Sequence, residues 1–271
     1  GRNRTICFSC VKTFALENRI PFLQPNSLAD ENIVGQIHSL SPDIAVVIAY
    51  GQWIPPSIFK IPRFRTINVH FSLLPSYRGA APVQRAIQDG RSETGVSIFE
   101  LSSRMDAGPI WRQFPMAIHH QDTTATLWER MSAEAAPFLV DTIGDILSGS
   151  SRPVPQDDRK ASLAPLIRKE EGLIDWKMPA FAIRNLLRAF TPWPGIFFPL
   201  NNRQIKVVEA DAIHFRHHCQ PGTIHRLDQE SMQVCCGDDS LLRISSLQPP
   251  GKKPMSPYCY SRGNPIGLCL E

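Results

Sequence analysis

No stretch of this chain is long and apolar enough to cross a membrane as a helix. The longest unbroken apolar run covers residues 44–50, whereas a helical span needs about 20 residues. The sequence also lacks a collagen triplet, a sustained heptad and an internal repeat. With 42% hydrophobic and 20% charged residues among 271, the composition fits one large globular domain or two ordinary ones.

The cysteines do not follow a disulfide or zinc-finger pattern. There are seven, an odd number at irregular spacing, whereas disulfide scaffolds are short and evenly paired. Cys7-x-x-Cys10 is a single pair, and a structural zinc site needs a second pair or two suitably spaced histidines. The run from His214 to Cys219 is interpreted as a solvated loop beside Gln220-Pro221-Gly222. We therefore expect free thiols, no bound metal, and a reducing bacterial cytoplasm or organelle matrix.

The sequence contains neither a Walker loop nor a G-x-G-x-x-G motif, the commonest signals of phosphate binding. Its charge is unevenly distributed. Residues 1–150 carry 13 basic and 13 acidic groups, so the remaining 16 basic and 12 acidic groups, and the whole net charge of +4, belong to residues 151–271. The second half is thus the better place for a nucleic-acid partner, although a solvated surface would explain the same balance.

Strand and helix signals alternate along the first half of the chain. The β-branched run 44–50 predicts a parallel strand covered on both faces, and two further strands are predicted at Thr66–His70 and Gly95–Leu101. This alternation predicts an α/β class with an open, mostly parallel, Rossmann-like sheet. Two helices are predicted before the first strand: one at residues 10–18, and one from a cap at Asn26 or Ser27 to about residue 40. A third begins at Ala81 with Pro82 in its first turn. A fourth runs from a cap at Asp122 or Thr123 to about residue 147.

The second half has a different organisation. Proline and glycine interrupt the segment after residue 148, which we interpret as a linker. One helix is predicted at residues 180–190, and short strands at 204–209, 222–227, 232–236 and 241–247 suggest a small C-terminal β-barrel. The predicted division is a domain at 1–150, a linker at 151–170 and a domain at 171–271.

Three polar side chains mark a candidate site. Asn68 and His70 lie two residues apart on a predicted strand, so both point to one face near its carboxyl end, where ligands of open α/β sheets bind. Asp106 follows the next predicted strand. An amide, an imidazole and a carboxylate could stabilise an oxyanion and move a proton. From spacing alone, a single histidine at a strand end is more often a hydrogen-bonded structural residue, and Asp106 before Ala-Gly could be a turn former.

A longer motif around these residues resembles the 10-formyltetrahydrofolate-dependent formyltransferases, and most closely the branch that formylates methionyl initiator tRNA. The core is Ile67-Asn68-Val69-His70-x-Ser72-Leu73-Leu74-Pro75. Similar segments extend over nearly all of the chain, including Tyr77–Arg85, Glu93–Ser97, Met105–Pro109 and Arg188–Gly195.

This resemblance implies a function and a set of site residues. Asn68 and His70 would hold the oxygen of the tetrahedral intermediate, while Asp106 would assist proton removal and orient His70. The implied co-substrate is 10-formyltetrahydrofolate, the implied partner is initiator methionyl-tRNA, and the C-terminal domain would be an OB-like tRNA-binding barrel. The remaining implied contacts are Ser72, Leu73, Leu74 and Pro75 in the folate loop, Ala49, Tyr50 and Gly51 around the pterin, and Arg2, Arg4 and Lys12 for tRNA.

Two departures from the family pattern keep other functions open. The chain lacks the family's opening strand, helix and strand, and residues 257–263 do not follow the helix expected there. One alternative is formylation of a small amine, such as an amino sugar nucleotide or a purine precursor. Another is a truncated, non-catalytic protein that binds RNA or folate. We expect a monomer without membrane contact.

Overall fold

The computed structural model describes residues 8–270, which form two compact units. The described residues of the first unit run from Phe8 to Ala45 and from Tyr50 to Arg65. The second unit contains residues 46–49 and everything from Thr66 to Leu270. The predicted division at residues 150 and 170 stays a prediction.

The described residues of the first unit contain three helices. Helix α1 covers Cys10–Glu17, close to its predicted bounds, and begins at Ser9, whose hydroxyl accepts a hydrogen bond from the Lys12 amide at 3.2 Å. Helix α2 covers Glu31–Ser39. Its cap is Asp30, whose carboxylate accepts a hydrogen bond from the Asn32 amide at 2.9 Å, so the predicted cap at Asn26 or Ser27 was wrong. Helix α3 is the short segment Pro56–Phe59.

A four-stranded sheet forms the centre of the predicted first domain. Its strands are β1 (Ala45–Ile48), β2 (Thr66–His70), β3 (Glu93–Glu100) and β4 (Ile110–Ala117), in the order β1-β2-β3-β4. The α/β class is confirmed, but β2 with β3 and β3 with β4 pair antiparallel. The expected mostly parallel arrangement is therefore wrong for these strands. Residues 101–109 between β3 and β4 contain no helix to return the chain, so its direction reverses there.

Two features of this sheet differ from the sequence prediction. Strand β1 was expected to be covered on both faces, but Val46 and Ile48, which share one face, are 38% and 56% exposed among the described residues. Strand β4 was not predicted. Pro115 lies within it and pairs with Gly95, and proline is tolerated in a strand mainly at the edge of a sheet. Strand β4 is such an edge.

Two helices accompany the sheet. Helix α4 covers Pro82–Gln88 and has proline in its first turn, as predicted. Helix α5 covers Thr124–Ser148, begins with a capping box at Thr123 and ends at Gly149 in the left-handed conformation. Although α5 has 25 residues, no helix within residues 8–270 has both the length and the apolar character needed to span a bilayer. Buried side chains at the centre are Ile67, Val96, Ile98, Phe99, Leu127 and Met131.

The predicted linker, residues 151–170, is bound along the loop that follows β2, and we call it the strap. The Arg78 amide donates to the Ser162 carbonyl at 2.8 Å, and the Ala164 amide donates to the Arg78 carbonyl at 2.7 Å. Further along, Ile110 and Val154 exchange two backbone hydrogen bonds. The strap is therefore part of the folded unit.

The C-terminal region is an antiparallel sheet with one long helix. Helix α6 covers Ala180–Ala189. The strands pair antiparallel in the order β5-β6-β9-β8-β7. They are β5 (Ile196–Leu200), β6 (Arg203–His214), β7 (Ile224–Leu227), β8 (Met232–Cys236) and β9 (Ser240–Gln248).

The predicted helix and short strands of this domain are confirmed, but its described strands form one open sheet and do not close into a barrel. The outer edge of β7 is occupied by the chain's own tail, where the Ile224 amide donates to the Leu268 carbonyl at 2.8 Å. The tail was also expected to lack a helix. Instead helix α7 covers Pro257–Ser261, because the Ser256 hydroxyl caps it by accepting from the Cys259 amide at 3.2 Å.

The glycine at position 108 is required by a close backbone contact. A Cβ atom there would lie 1.8 Å from the Glu100 carbonyl oxygen, whereas one at Gly144 in α5 would meet nothing within 4 Å. We predict that Gly108→Ala lowers the free energy of unfolding by about 1–3 kcal/mol. The control Gly144→Ala should raise it by about 0.5–1 kcal/mol. Urea unfolding measures both, and equal effects would contradict the close contact.

Candidate active site

Strand β2 carries two of the predicted site residues at its carboxyl end. Asn68 is half-buried and His70 is 7% exposed, and their spacing of two residues puts both on one face. The His70 ring meets the Phe99 ring edge-on, with centroids 6.2 Å apart. The imidazole is therefore buried and packs against an aromatic ring.

The third predicted residue, Asp106, lies beside His70. Asp106 is on the loop between β3 and β4, with a left-handed φ of 48°. Its Oδ2 atom is 3.7 Å from His70 Nδ1 and accepts a hydrogen bond from the Gly79 amide at 2.7 Å. The structure thus brings the imidazole and the carboxylate together, on elements separated by 36 positions in the sequence.

The other nitrogen of His70 is already bonded. Nε2 lies 2.9 Å from the Tyr77 carbonyl oxygen, which can only accept, so Nε2 carries the hydrogen. In the neutral ring Nδ1 is then the basic nitrogen, and it faces Asp106. Burial lowers the pKa of His70 below its usual 6.5, and the Asp106 charge and the Tyr77 carbonyl only partly offset this effect. His70 is therefore neutral at pH 7.

The predicted folate loop, Ser72–Pro75, is fixed by uncharged side chains. The Ser97 hydroxyl donates to the Ser72 carbonyl and accepts from the Leu74 amide at 3.0 Å. Gln113 donates from Nε2 to the Leu74 carbonyl at 2.9 Å and to the Ser97 hydroxyl at 2.7 Å. Gln113 was not predicted as a site residue because it lies on β4, the strand that the sequence did not reveal.

The strap supplies two further contacts that sequence reasoning missed. Arg78, 6% exposed, donates to Gln156 Oε1 at 2.7 Å and to Asp158 at 2.9 Å. Gln156 in turn donates to the backbone carbonyls of Asp106 at 2.9 Å and Gly108 at 2.7 Å. No spacing rule links positions 78, 106 and 156. Through Gln156, these hydrogen bonds connect the loop after β2 to the loop that carries Asp106.

The predicted pterin and tRNA contacts are only partly described. Ala49 belongs to the second unit, whereas Tyr50 and Gly51 belong to the first, so their common role stays a prediction. Tyr50 and Lys12 line a cavity of about 300 Å³ within the first unit, and Lys12 Nζ lies 4.3 Å from the centre of the Phe8 ring. Arg2 and Arg4 lie outside the described residues.

Family models match both halves of the chain. Residues 1–143 match the model described as formyl transferase, and residues 166–265 match the formyl transferase C-terminal domain. The chain belongs to the formyl transferase family. The resemblance noted in the motif around Asn68 and His70 is thereby confirmed at the level of the family.

Relatives of this formyl transferase match it over nearly its whole length. It is 36% identical over 263 residues to the methionyl-tRNA formyltransferase of Geobacillus thermodenitrificans, covering 97% of this chain and 82% of the relative. It is 37% identical over 266 residues to that of Myxococcus xanthus, covering 98% and 84%.

Solved structures of lower identity share the fold of this formyl transferase. The N-formyltransferase from Helicobacter canadensis, in complex with folinic acid and dTDP-3-aminofucose, has a TM-score of 0.67 at 17% identity, covering 86% of this chain and 81% of that one. Methionyl-tRNA formyltransferase from Clostridium thermocellum has a TM-score of 0.55 at 19% identity, covering 74% and 86%. A folate co-substrate is consistent with this family.

The environment of His70 leads to a prediction about its titration. We expect an NMR titration to give a pKa for His70 below 6.5, because burial disfavours the imidazolium. The Asp106 charge raises this pKa, so Asp106→Asn should lower it further, whereas the exposed Asp141→Asn on α5 should leave it unchanged. An increase in the His70 pKa in Asp106→Asn would contradict the pairing.

Proposed function

We propose that this formyl transferase moves a formyl group from 10-formyltetrahydrofolate to the amino group of methionyl initiator tRNA, for translation initiation. The observation that carries the proposal is the contact between buried His70, at the end of β2, and half-buried Asp106. The near full-length similarity to methionyl-tRNA formyltransferases supports the choice of substrate.

The reaction needs no nucleophile from the protein, because the substrate amine itself attacks the formyl carbon. The attack forms a carbon–nitrogen bond and moves charge to the formyl oxygen. We propose that the Asn68 amide donates a hydrogen bond to that oxygen, since such donors stabilise a tetrahedral intermediate. Collapse breaks the bond from the formyl carbon to N10 of the folate, and N10 takes up the proton that the amine has lost.

The attacking amine must also lose a proton. Sequence reasoning gave His70 the role of holding the oxygen, but its Nε2 hydrogen is directed at the Tyr77 carbonyl. We therefore propose that Nδ1 of neutral His70 accepts the proton of the amine and that Asp106 stabilises the resulting imidazolium. Asp106 keeps its predicted roles in proton removal and in orienting His70.

Contacts to the two substrates are proposed for separate segments of the chain. The loop Ser72–Pro75 is held by Ser97 and Gln113, which supports a fixed wall for the folate. Ala49, Tyr50 and Gly51 are proposed to line the pterin site, and Arg2, Arg4 and Lys12 to contact tRNA. The net positive charge of residues 151–271 supports tRNA phosphate contacts by the C-terminal domain.

A small amine is the alternative acceptor, since sugar N-formyltransferases share the fold. Incubation with 10-formyltetrahydrofolate and equal concentrations of methionyl-tRNA and amino sugar nucleotides distinguishes the two. We expect formyl incorporation into the tRNA. Incorporation into the small amines alone would overturn the tRNA assignment, and incorporation into neither would favour a non-catalytic protein.

We predict that Asn68 and Asp106, two of the three polar groups in the proposed chemistry, control turnover. Asn68→Ala should lower kcat by about 10²–10³-fold through loss of an oxyanion donor, and Asp106→Ala by about 10²–10⁴-fold because the imidazolium formed at His70 loses its stabilising carboxylate. Single-turnover formylation measures both, with Asp141→Asn on the exposed face of α5 as the control.

Binding measurements separate chemistry from structure in these variants. Affinity for methionyl-tRNA should survive in both Asn68→Ala and Asp106→Ala, because neither side chain is proposed to contact the tRNA body. A loss of tRNA affinity as large as the loss of turnover would mean that Asp106 is structural.

The proposed tRNA contact of Lys12 gives a separate prediction. Lys12→Ala should weaken tRNA binding and reduce the slope of log affinity against log salt by about one, because one phosphate contact is lost. Folate affinity should not change. The control is Lys60→Ala, an exposed lysine of the same unit at the end of α3. Equal effects of the two substitutions would contradict a specific contact.

A further inference from the structure

Three potential metal ligands meet in the C-terminal domain, outside the proposed active site. They are Cys219 on the loop between β6 and β7, His225 on β7 and Cys235 on β8. One ligand atom from each lies within 4.8 Å of the other two. Their spacing in the sequence, with five and nine residues between them, matches no common zinc motif, which explains why the sequence predicted no metal.

The backbone aims His225 at the two cysteines. Ile224 pairs with Val234 and Arg226 pairs with Gln233, so His225 is an extra residue in β7 and forms a bulge. Bulges reorient a side chain relative to the regular alternation of a strand. Cys235 lies on the neighbouring strand and is fully buried. The irregularity in β7 therefore falls at the residue that completes the cluster.

The loop that carries Cys219 is anchored to the same strands. His217 Nε2 lies 3.1 Å from the carbonyl oxygens of both Cys236 and Ser240. The run from His214 to Cys219 was expected to be a solvated loop, and His218 and Cys219 are exposed, but His217 is half-buried. This anchor fixes the main chain two residues before Cys219 and so restricts the position of its thiol.

We propose that Cys219, His225 and Cys235 bind one zinc ion, with water in the fourth position. Two thiolates and an imidazole are typical ligands of this cation, and a tetrahedral zinc ion separates two sulfur ligands by about 3.8 Å. Small side-chain movements from the observed separations reach that geometry. The ion would join the β6–β7 loop to the paired strands β7 and β8. This role is independent of formyl transfer.

Zinc binds cysteine as the thiolate, whose charge the cation stabilises. Both cysteines are free thiols in the structure.

The experiment measures zinc binding by the full chain in a thiol-free reductant. After removal of metal with a chelator, equilibrium dialysis against Zn²⁺ should give one ion per chain. Titration with Co²⁺ alone should produce sulfur-to-cobalt charge-transfer absorption. Cys219→Ser and His225→Gln alter exposed side chains and should each weaken zinc binding by more than about tenfold, without loss of the fold as judged by circular dichroism.

Matched controls are an exposed cysteine and an exposed histidine elsewhere in the chain. Cys259→Ser on α7 and His120→Ala after β4 should retain the zinc affinity of the unmodified chain. Equal affinity in all four variants, or absence of stoichiometric binding to the reduced chain, would overturn the proposal. A Cys219–Cys235 disulfide in air without zinc binding to the reduced form would overturn it in favour of a redox pair.

Discussion

A single oxygen atom, Oδ2 of Asp106, connects the parts of the candidate active site. It accepts the Gly79 amide hydrogen at 2.7 Å and lies 3.7 Å from His70 Nδ1. The carboxylate is thereby fixed to the loop after β2 as well as to its own loop. Because His70 Nε2 is committed to the Tyr77 carbonyl, the orientation of the ring and the identity of its basic nitrogen are both set by these neighbours.

Most of the groups that hold the surrounding loops carry no charge. Ser97 and Gln113 fix the loop Ser72–Pro75, and the Gln156 amide bonds the loop that carries Asp106. Arg78 is charged but paired with Asp158. Within residues 8–270, Asp106 is the charged group that acts on the pKa of His70. Neutral supports allow the loops to be rigid without adding a second electrostatic influence on the imidazole.

Local patterns predicted much of the site but little of what supports it. The period-two spacing of Asn68 and His70 was enough to place both on one face of a strand. The motif also led to Asp106, whose contact with His70 spans 36 positions.

The supporting contacts were not predictable in this way. Pro115 made β4 unrecognisable as a strand, so Gln113 on β4 was missed as well. The reversed direction of β3 depends on strand pairing that no local signal encodes. The Arg78–Gln156 contact is equally non-local. The zinc ligands remained hidden because a bulge, rather than a regular spacing, brings His225 to the cysteines.

The hydrogen bonds between the strap and residues 78–81 have an evolutionary consequence. Backbone amides and carbonyls of Arg78, Ser162 and Ala164 form a seam between segments that belong to different halves of the chain. A recombination event that exchanged only the C-terminal half would leave this seam with an unrelated partner. An exchange made after the strap, rather than before it, would keep both sides of the seam together.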